Sequence, residues 1–229
     1  QSKVISYYDD VAATFTNFAM SGIDKVHFGL EAAVSIPIYH TLALNGAVSW
    51  GQYTYDSNPY YLQTQDNSGD IVSDGYVYWK DFRVESTPQT AVNVGLSWRS
   101  NNNIYLSADF NYYNNMYLSM SPIYRTDAVI TGGMAPGDIE HLRRQEKFDS
   151  AYTLNASIGK NWYIHRKYTL GFSLDVKNIL NNQDIKTGGY EQTRLSKNTE
   201  TTVTTYQAFD SKYFYMFGTT YYLNLYFRF

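Results

Sequence analysis

The chain contains no cysteine, which excludes disulfides, thiolate chemistry and cysteine-containing zinc sites. It has no stretch approaching the roughly 18 consecutive apolar residues that mark a transmembrane helix, and its mean hydropathy is mildly negative. A basic run is missing too, and the net charge is only −3, which argues against nucleic acid as a partner. Catalytic signatures are equally scarce. The four histidines, at 27, 40, 141 and 165, are dispersed, and none stands at a spacing that puts two on one face near a carboxylate. There is no Gly-x-Ser-x-Gly elbow and no phosphate-binding loop. The expectation is a non-catalytic protein without cofactor or metal. The first residue is Gln1, and no charged segment followed by an apolar one comes after it, as a secretory leader would require. A mature product, or a piece of a longer chain, is expected.

What the chain has is tyrosine and alternation. It holds 24 tyrosines beside 12 phenylalanines and 4 tryptophans. Residues 213–229 alternate to the end, with Phe217, Thr219, Tyr221, Leu223, Leu225, Phe227 and Phe229 on one face and Gly218, Thr220, Tyr222, Asn224, Tyr226 and Arg228 on the other. A period of two sends successive side chains to opposite faces of a strand. Strands of soluble domains usually run about five or six residues, whereas a tilted membrane-spanning strand needs about nine to eleven. Hydropathy averages are blind to such strands, because lipid-facing and lumen-facing residues cancel within any window.

The same pattern recurs upstream, with apolar faces carried by Val26, Phe28, Leu30, Val34 and Ile36; Leu42, Leu44, Val48 and Trp50; Val92, Val94, Leu96 and Trp98. It continues through Ile104, Leu106, Phe110 and Tyr112, then Tyr152, Leu154, Ile158 and Trp162 with Lys160 interrupting, and Tyr168, Leu170, Phe172, Leu174 and Val176. Seven strands are thus expected, with a short eighth over residues 3–8. The opposite faces carry Lys25, His27, Glu31, Arg99, Asp109, Asp175 and Lys177. So many unpaired charges are costly in a dry core and cheap in a water-filled lumen. Connections over residues 37–40, 100–103 and 163–167 are tight, while those over 56–87, 119–149 and 181–212 are long and show no strand pattern. This alternation matches transmembrane barrels, which have short periplasmic turns and long extracellular loops. Trp50, Tyr53, Tyr55, Tyr112, Tyr113, Tyr213, Phe214 and Tyr215 are then expected at the outer rim, and Trp98, Trp162, Tyr163, Phe227 and Phe229 at the inner one.

Six segments carry a family resemblance: SYYDD (6–10), FTNFAMSGIDKVHFGLE (15–31), SWGQYTYDSNP (49–59), NNMYLSMSPIYRTD (114–127), LDVKNILNNQ (174–183) and YYLNLYFRF (221–229). Together they resemble the C-terminal part of a TonB-dependent outer-membrane receptor, of the Bacteroidetes type with an N-terminal carboxypeptidase-regulatory-like domain. The resemblance implies an all-β fold, an antiparallel transmembrane β-barrel. About 8 strands here would be the last third of a barrel of roughly 22, and residues 1–229 one part of it, with plug domain and TonB box outside this chain. It also implies nutrient uptake across the outer membrane. The partners would be outer-membrane lipid and lipopolysaccharide, the rest of the receptor, TonB through N-terminal parts, and a surface lipoprotein. Two alternatives stand beside it: a complete eight-stranded outer-membrane protein serving adhesion or membrane integrity, and a soluble all-β carbohydrate-binding module.

Candidate ligand contacts fall in the long connections. Tyr60, Tyr61, Tyr76, Tyr78 and Trp79 crowd the first, where rings either pack a loop core or stack on a sugar or peptide. Tyr124 and Arg125 are either ligand contacts or anchors between strand and loop, and the anchor is preferred. Asp66, Ser68 and Asp70 are spaced like a calcium loop, but Ile71 stands where such a loop needs glycine, so a polar loop tip is expected. Asp138, Glu140, Arg143, Arg144, Glu146 and Lys147 form a mixed-charge cluster that solvates its loop or meets lipopolysaccharide or a lipoprotein.

Overall fold

The computed structural model describes residues 1–9, 13–66, 68–165, 167–197 and 204–229. Its strands are β1 (Ser2–Asp9), β2 (Thr14–Ser21), β3 (Lys25–Tyr39), β4 (Leu42–Tyr55), β5 (Tyr60–Gln65), β6 (Ile71–Tyr76), β7 (Thr90–Arg99), β8 (Ile104–Asn114), β9 (Ala151–Ile164), β10 (Tyr168–Lys177), β11 (Lys186–Lys197), β12 (Thr204–Tyr215) and β13 (Thr220–Arg228). A 3-10 turn (Pro122–Arg125) and two short helices, α1 (Asp127–Thr131) and α2 (Pro136–Leu142), lie between β8 and β9. All strand ladders are antiparallel, and they build a seven-stranded sheet, a four-stranded sheet and a hairpin.

The seven-stranded sheet, ordered β13-β10-β9-β8-β7-β4-β3, is made of the seven strands that alternation predicts. Its register brings their apolar sets into line. Leu42 opposes Trp98, Trp98 opposes Leu106, and the row continues through Ile158, Leu174 and Leu223. Two rows further along, another apolar row runs from Val34 through Gly46, Val94 and Phe110 to Leu154. Lys160, the one cation on this face, lays its ammonium over the Trp162 ring at 5.2 Å, a cation–π placement that keeps it at the strand's turn end.

Small and polar residues fill the opposite face and bond across strands. Ser35 donates to Asn45 (2.7 Å), Asn45 to Ser97 (3.1 Å), and Asn93 to Asn111 (2.8 Å), while the Ser107 and Ser157 hydroxyls meet at 2.8 Å. Near the tight turns, Tyr105 and Tyr226 lie across Gly159 and Gly171, where an added Cβ would meet the rings at 2.1 and 2.4 Å. Both glycines make a close approach of neighbouring strands possible.

Among the described residues nothing covers the apolar face. Leu30 is 69% exposed, Phe28 63% and Leu225 71%. The buried side chains lie instead in a cap at the end of the sheet reached by the long connections. One cluster gathers Phe18, Met20, Tyr55, Tyr61, Val77 and Trp79, and another Met116, Leu118, Phe148, Ala151 and Ile185.

Four expectations need correction. The strand at residues 3–8 exists as β1 but does not join the large sheet, which has seven strands where about eight were expected. β1 pairs with β2 in the four-stranded sheet β1-β2-β5-β6, because Ile5 and Tyr7 pack on the Phe18 cluster. Among the described residues the large sheet does not close: β3 and β13 each keep one unpaired edge.

The long connections are not structureless either, since they carry β5–β6, the helices and β11–β12. The terminal run is also not one strand. It breaks at residues 216–219, where the asparagines of LDVKNILNNQ hold a corner. Asn178 and Asn181 adopt left-handed backbone at φ 52 and 51, a conformation asparagine tolerates. Asn178 Nδ2 donates to Phe217 O (3.1 Å), Thr219 N donates to Asn181 Oδ1 (3.1 Å), and Thr219 Oγ1 donates to Asn178 O (2.8 Å). Finally, Tyr53, Tyr55, Tyr113 and Tyr213 of the expected outer rim turn inward onto the cap clusters, whereas Trp50, Phe214 and Tyr215 stay exposed.

A substitution pair tests this division between cap and sheet. Phe18 is fully buried and stacks on Tyr61 at a ring separation of 4.8 Å, so Phe18→Ala should cost about 3–5 kcal/mol of cap stability in denaturant unfolding. Phe28→Ala, at an exposed position, should change the same unfolding by less than about 1 kcal/mol.

Candidate functional site

Alternation sorts the aromatic candidates before any ligand does. Tyr60 and Tyr61 are consecutive on β5 and therefore face opposite ways. Tyr60 points outward and opposes Tyr76 on β6, their rings edge to face at 5.7 Å, and its hydroxyl donates to Asp74. Tyr61 points inward, only 1% exposed, and its hydroxyl pairs with Ser73 at 2.8 Å. Trp79 is likewise buried, stacked on Tyr55 at 4.5 Å. Tyr78 remains partly exposed at the mouth of a cleft of about 610 Å³ that also touches Lys80, Phe82, Ile130 and Arg143. The five aromatics therefore do not form one surface: Tyr60, Tyr76 and Tyr78 are accessible, and Tyr61 and Trp79 belong to the cap core.

Tyr124 and Arg125 act as anchors. The Tyr124 hydroxyl donates to Thr193 O on β11 at 2.7 Å. Arg125, 2% exposed, makes a two-pronged ion pair with Glu191 of β11, both contacts at 2.7 Å. Its Nε donates to Leu142 O (2.9 Å) and Nη1 also to Ser121 O (2.8 Å), while Phe82 lies 5.6 Å from the guanidinium carbon. A buried guanidinium needs such a set of partners, because an unpaired one is strongly destabilising. Glu191 also accepts from Ser121 N at 3.0 Å. Sequence reasoning missed Glu191, which stands 66 positions away with no local pattern to flag it.

Asp66, Ser68 and Asp70 lie in the β5–β6 turn. Asp70 N donates to Ser68 Oγ (3.2 Å) and Asp66 N to Phe15 O (2.9 Å). No group of three metal-binding side chains gathers among the described residues. The mixed-charge cluster splits in two. Glu140 of α2 and Arg144 just beyond it pair at 2.6 Å on the exposed surface, whereas Glu146 turns to the hairpin, accepting from the Tyr213 hydroxyl at 2.7 Å with Lys186 3.6 Å away.

Several cap tyrosines hold their protons tightly. Burial, reinforced by Asp9, pushes Tyr7 up to about 12; burial raises Tyr61, and the hydrogen bond to Glu146 raises Tyr213. No protein-family model, no curated protein and no solved structure matches the chain.

Each of these phenols ionises at higher pH in the folded cap than in the unfolded chain. For Tyr7 the contribution to stability is therefore complete below about pH 10 and is lost as pH rises toward about 12; for Tyr61 and Tyr213 the sign is the same, with stability lost as pH rises above the ordinary tyrosine range. Ultraviolet titration should show the exposed tyrosines ionising first. A later phase should coincide with loss of the near-ultraviolet circular dichroism of the cap.

Proposed function

We propose that this chain forms wall and extracellular cap of a TonB-dependent outer-membrane receptor that imports a nutrient, and that it performs no chemistry itself. The observation that carries the reading is the uncovered apolar face of the seven-stranded sheet, whose strands run 9 to 15 residues and whose apolar rows lie in register. That length suits a tilted strand crossing the hydrocarbon layer. Water is a poor solvent for so large an apolar surface, and lipid is a good one. The polar face, with Glu31, Asp109 and Asp175, then lines a wet interior.

Orientation follows from the connections. With the tight turns in the periplasm, the cap stands outside the cell and β13 runs inward. The two free edges of the sheet require further strands, because unpaired backbone groups in lipid cost several kcal/mol each. In the receptor those strands, the plug and the TonB box come from outside these 229 residues. The alternative of an eight-stranded barrel closed on itself has less support, since the strand needed to close it is taken up by the cap. The six segments that resemble the Bacteroidetes receptors favour the larger assembly, with a glycan or peptide as the weakly preferred cargo and a surface lipoprotein as partner.

Tryptophan reports on the reading directly. Trp50, Trp98 and Trp162 lie on the apolar face, whereas Trp79 is buried in the cap. In single-tryptophan variants of the full-length protein reconstituted in bilayers, lipids brominated on their acyl chains should quench the first three and leave Trp79 bright. Quenching of those three by aqueous iodide in place of brominated lipid, with the protein soluble without detergent, would sink the membrane reading.

A further inference from the structure

A cleft of about 610 Å³ opens where the segment after β6 meets α1 and α2, and its walls belong to the cap. Ile130 and Leu142 give it an apolar side, and Tyr78 stands exposed at its mouth. Backbone bonds fix the segment: Tyr78 N donates to Arg125 O (2.8 Å) and Asp81 N to Tyr55 O (2.8 Å). The Asn58 side-chain oxygen accepts from both Trp79 N and Lys80 N at 3.0 Å, which leaves its amide N–H groups for another partner.

The buried guanidinium of Arg125 borders the same cleft with one donor unspent. Of the five N–H groups that a guanidinium carries, Nε–H goes to Leu142 O, the two on Nη1 go to Ser121 O and Glu191, and one on Nη2 goes to Glu191. The other Nη2–H lies on the Nε edge of the planar fork, the edge that faces Leu142, and it meets no acceptor among the described residues. A buried N–H without an acceptor is costly, and an oxygen placed at this edge removes the cost. Arg143, next to Leu142 on the cleft wall, is exposed, and its guanidinium has no partner among the described residues. Lys80 already has Asp56 at 3.9 Å, and Asp81 adds a carboxylate to the wall.

We propose that this cleft binds a sugar acid, its carboxylate held between the free Nη2–H of Arg125 and the Arg143 guanidinium. A planar carboxylate satisfies both donors at once, in the geometry that guanidinium groups match best. Asp81 and the Asn58 amide supply the acceptor and the donor that sugar hydroxyls take up, and the Tyr78 ring offers its face to the C–H side of the sugar. A bare anion such as phosphate makes no use of these groups and is repelled by Asp81, whereas a neutral sugar leaves Arg143 without a counter-charge. Within the receptor reading such a sugar is cargo, but the binding belongs to the cap and is measurable wherever the large sheet resides.

Isothermal titration calorimetry of the full-length protein with digalacturonate, and with its dimethyl ester as the same sugar without charge, tests the assignment. The acid should bind, and the ester should bind about tenfold more weakly, the loss expected for one charge-assisted bond. Arg143→Gln should bring the acid down to the affinity of the ester and leave the ester unchanged, while Tyr78→Ala should weaken both alike. Ile130→Trp, which fills the cleft, should abolish binding of both. None of these three side chains is fully buried, so each variant should keep the circular dichroism of the wild type.

No binding of digalacturonate up to millimolar concentration overturns the proposal. Equal affinity for acid and ester does the same, and so does an Arg143→Gln variant that binds the acid as the wild type does. Tighter binding of N-acetyl dialanine than of digalacturonate would make the cleft a site for a peptide terminus and overturn the sugar.

Discussion

Everything in this molecule depends on the register of the seven-stranded sheet. Side chains repeat every two residues along a strand, so slipping one strand by a single position would move its whole apolar set to the polar face. Here seven strands keep step: the row from Leu42 to Leu223 stays apolar across six strands, and the row from Ser97 through Ser107 and Ser157 to Asp175 stays polar. The polar side enforces this alignment as well as profiting from it. Bonds such as Ser35–Asn45, Asn45–Ser97 and Asn93–Asn111 satisfy each other only in this register, and the tyrosine rings that lie over Gly159 and Gly171 would have to move aside for any side chain there.

A sheet so ordered yet bare on its apolar face needs its stability from elsewhere in the chain and from its surroundings. The cap supplies a conventional core. Phe18, Tyr61, Tyr55 and Trp79 stack in pairs, Met20 and Met120 fill the gaps between them, and Leu118 and Phe148 close the second cluster. Two regions of one chain thus obey opposite burial rules. The strand ends are where the rules change: Trp50 on β4 is exposed on the apolar face, and Tyr55, five residues on, is buried in the cap.

The strands of the large sheet were readable because long alternation is a local signal that tertiary packing reinforces. The cap was not, for physical reasons that differ by element. β5 and β6 are six residues each, short enough that alternation carries little information, so the strands on either side of the polar tip at Asp66, Ser68 and Asp70 went unread. β1 was found and misplaced, since its pattern shows a strand but not its partner. The run at residues 213–229 misled by being too regular. Its phase carries on across a corner that is enforced by Asn178 and Asn181, 35 or more positions upstream. Among the candidate site residues, a crowd of loop aromatics proved to be one layer seen from both sides, with Tyr60 out and Tyr61 in. The preference for Tyr124 and Arg125 as anchors agrees with their bonds to Thr193 and Glu191, yet no sequence pattern pointed to either partner.

The Arg125–Glu191 pair is the buried charged contact among several that join the hairpin to the cap. Burying a guanidinium is tolerable only with a carboxylate and carbonyls around it, and the Ser121 and Leu142 carbonyls and the Phe82 ring complete with Glu191 the socket that Arg125 occupies. A socket of that kind is selective, because it accepts a planar carboxylate in one orientation. It fixes β11 at a defined height on the cap. A purely apolar contact between hairpin and cap would allow sliding, whereas a two-pronged ion pair is either made or broken.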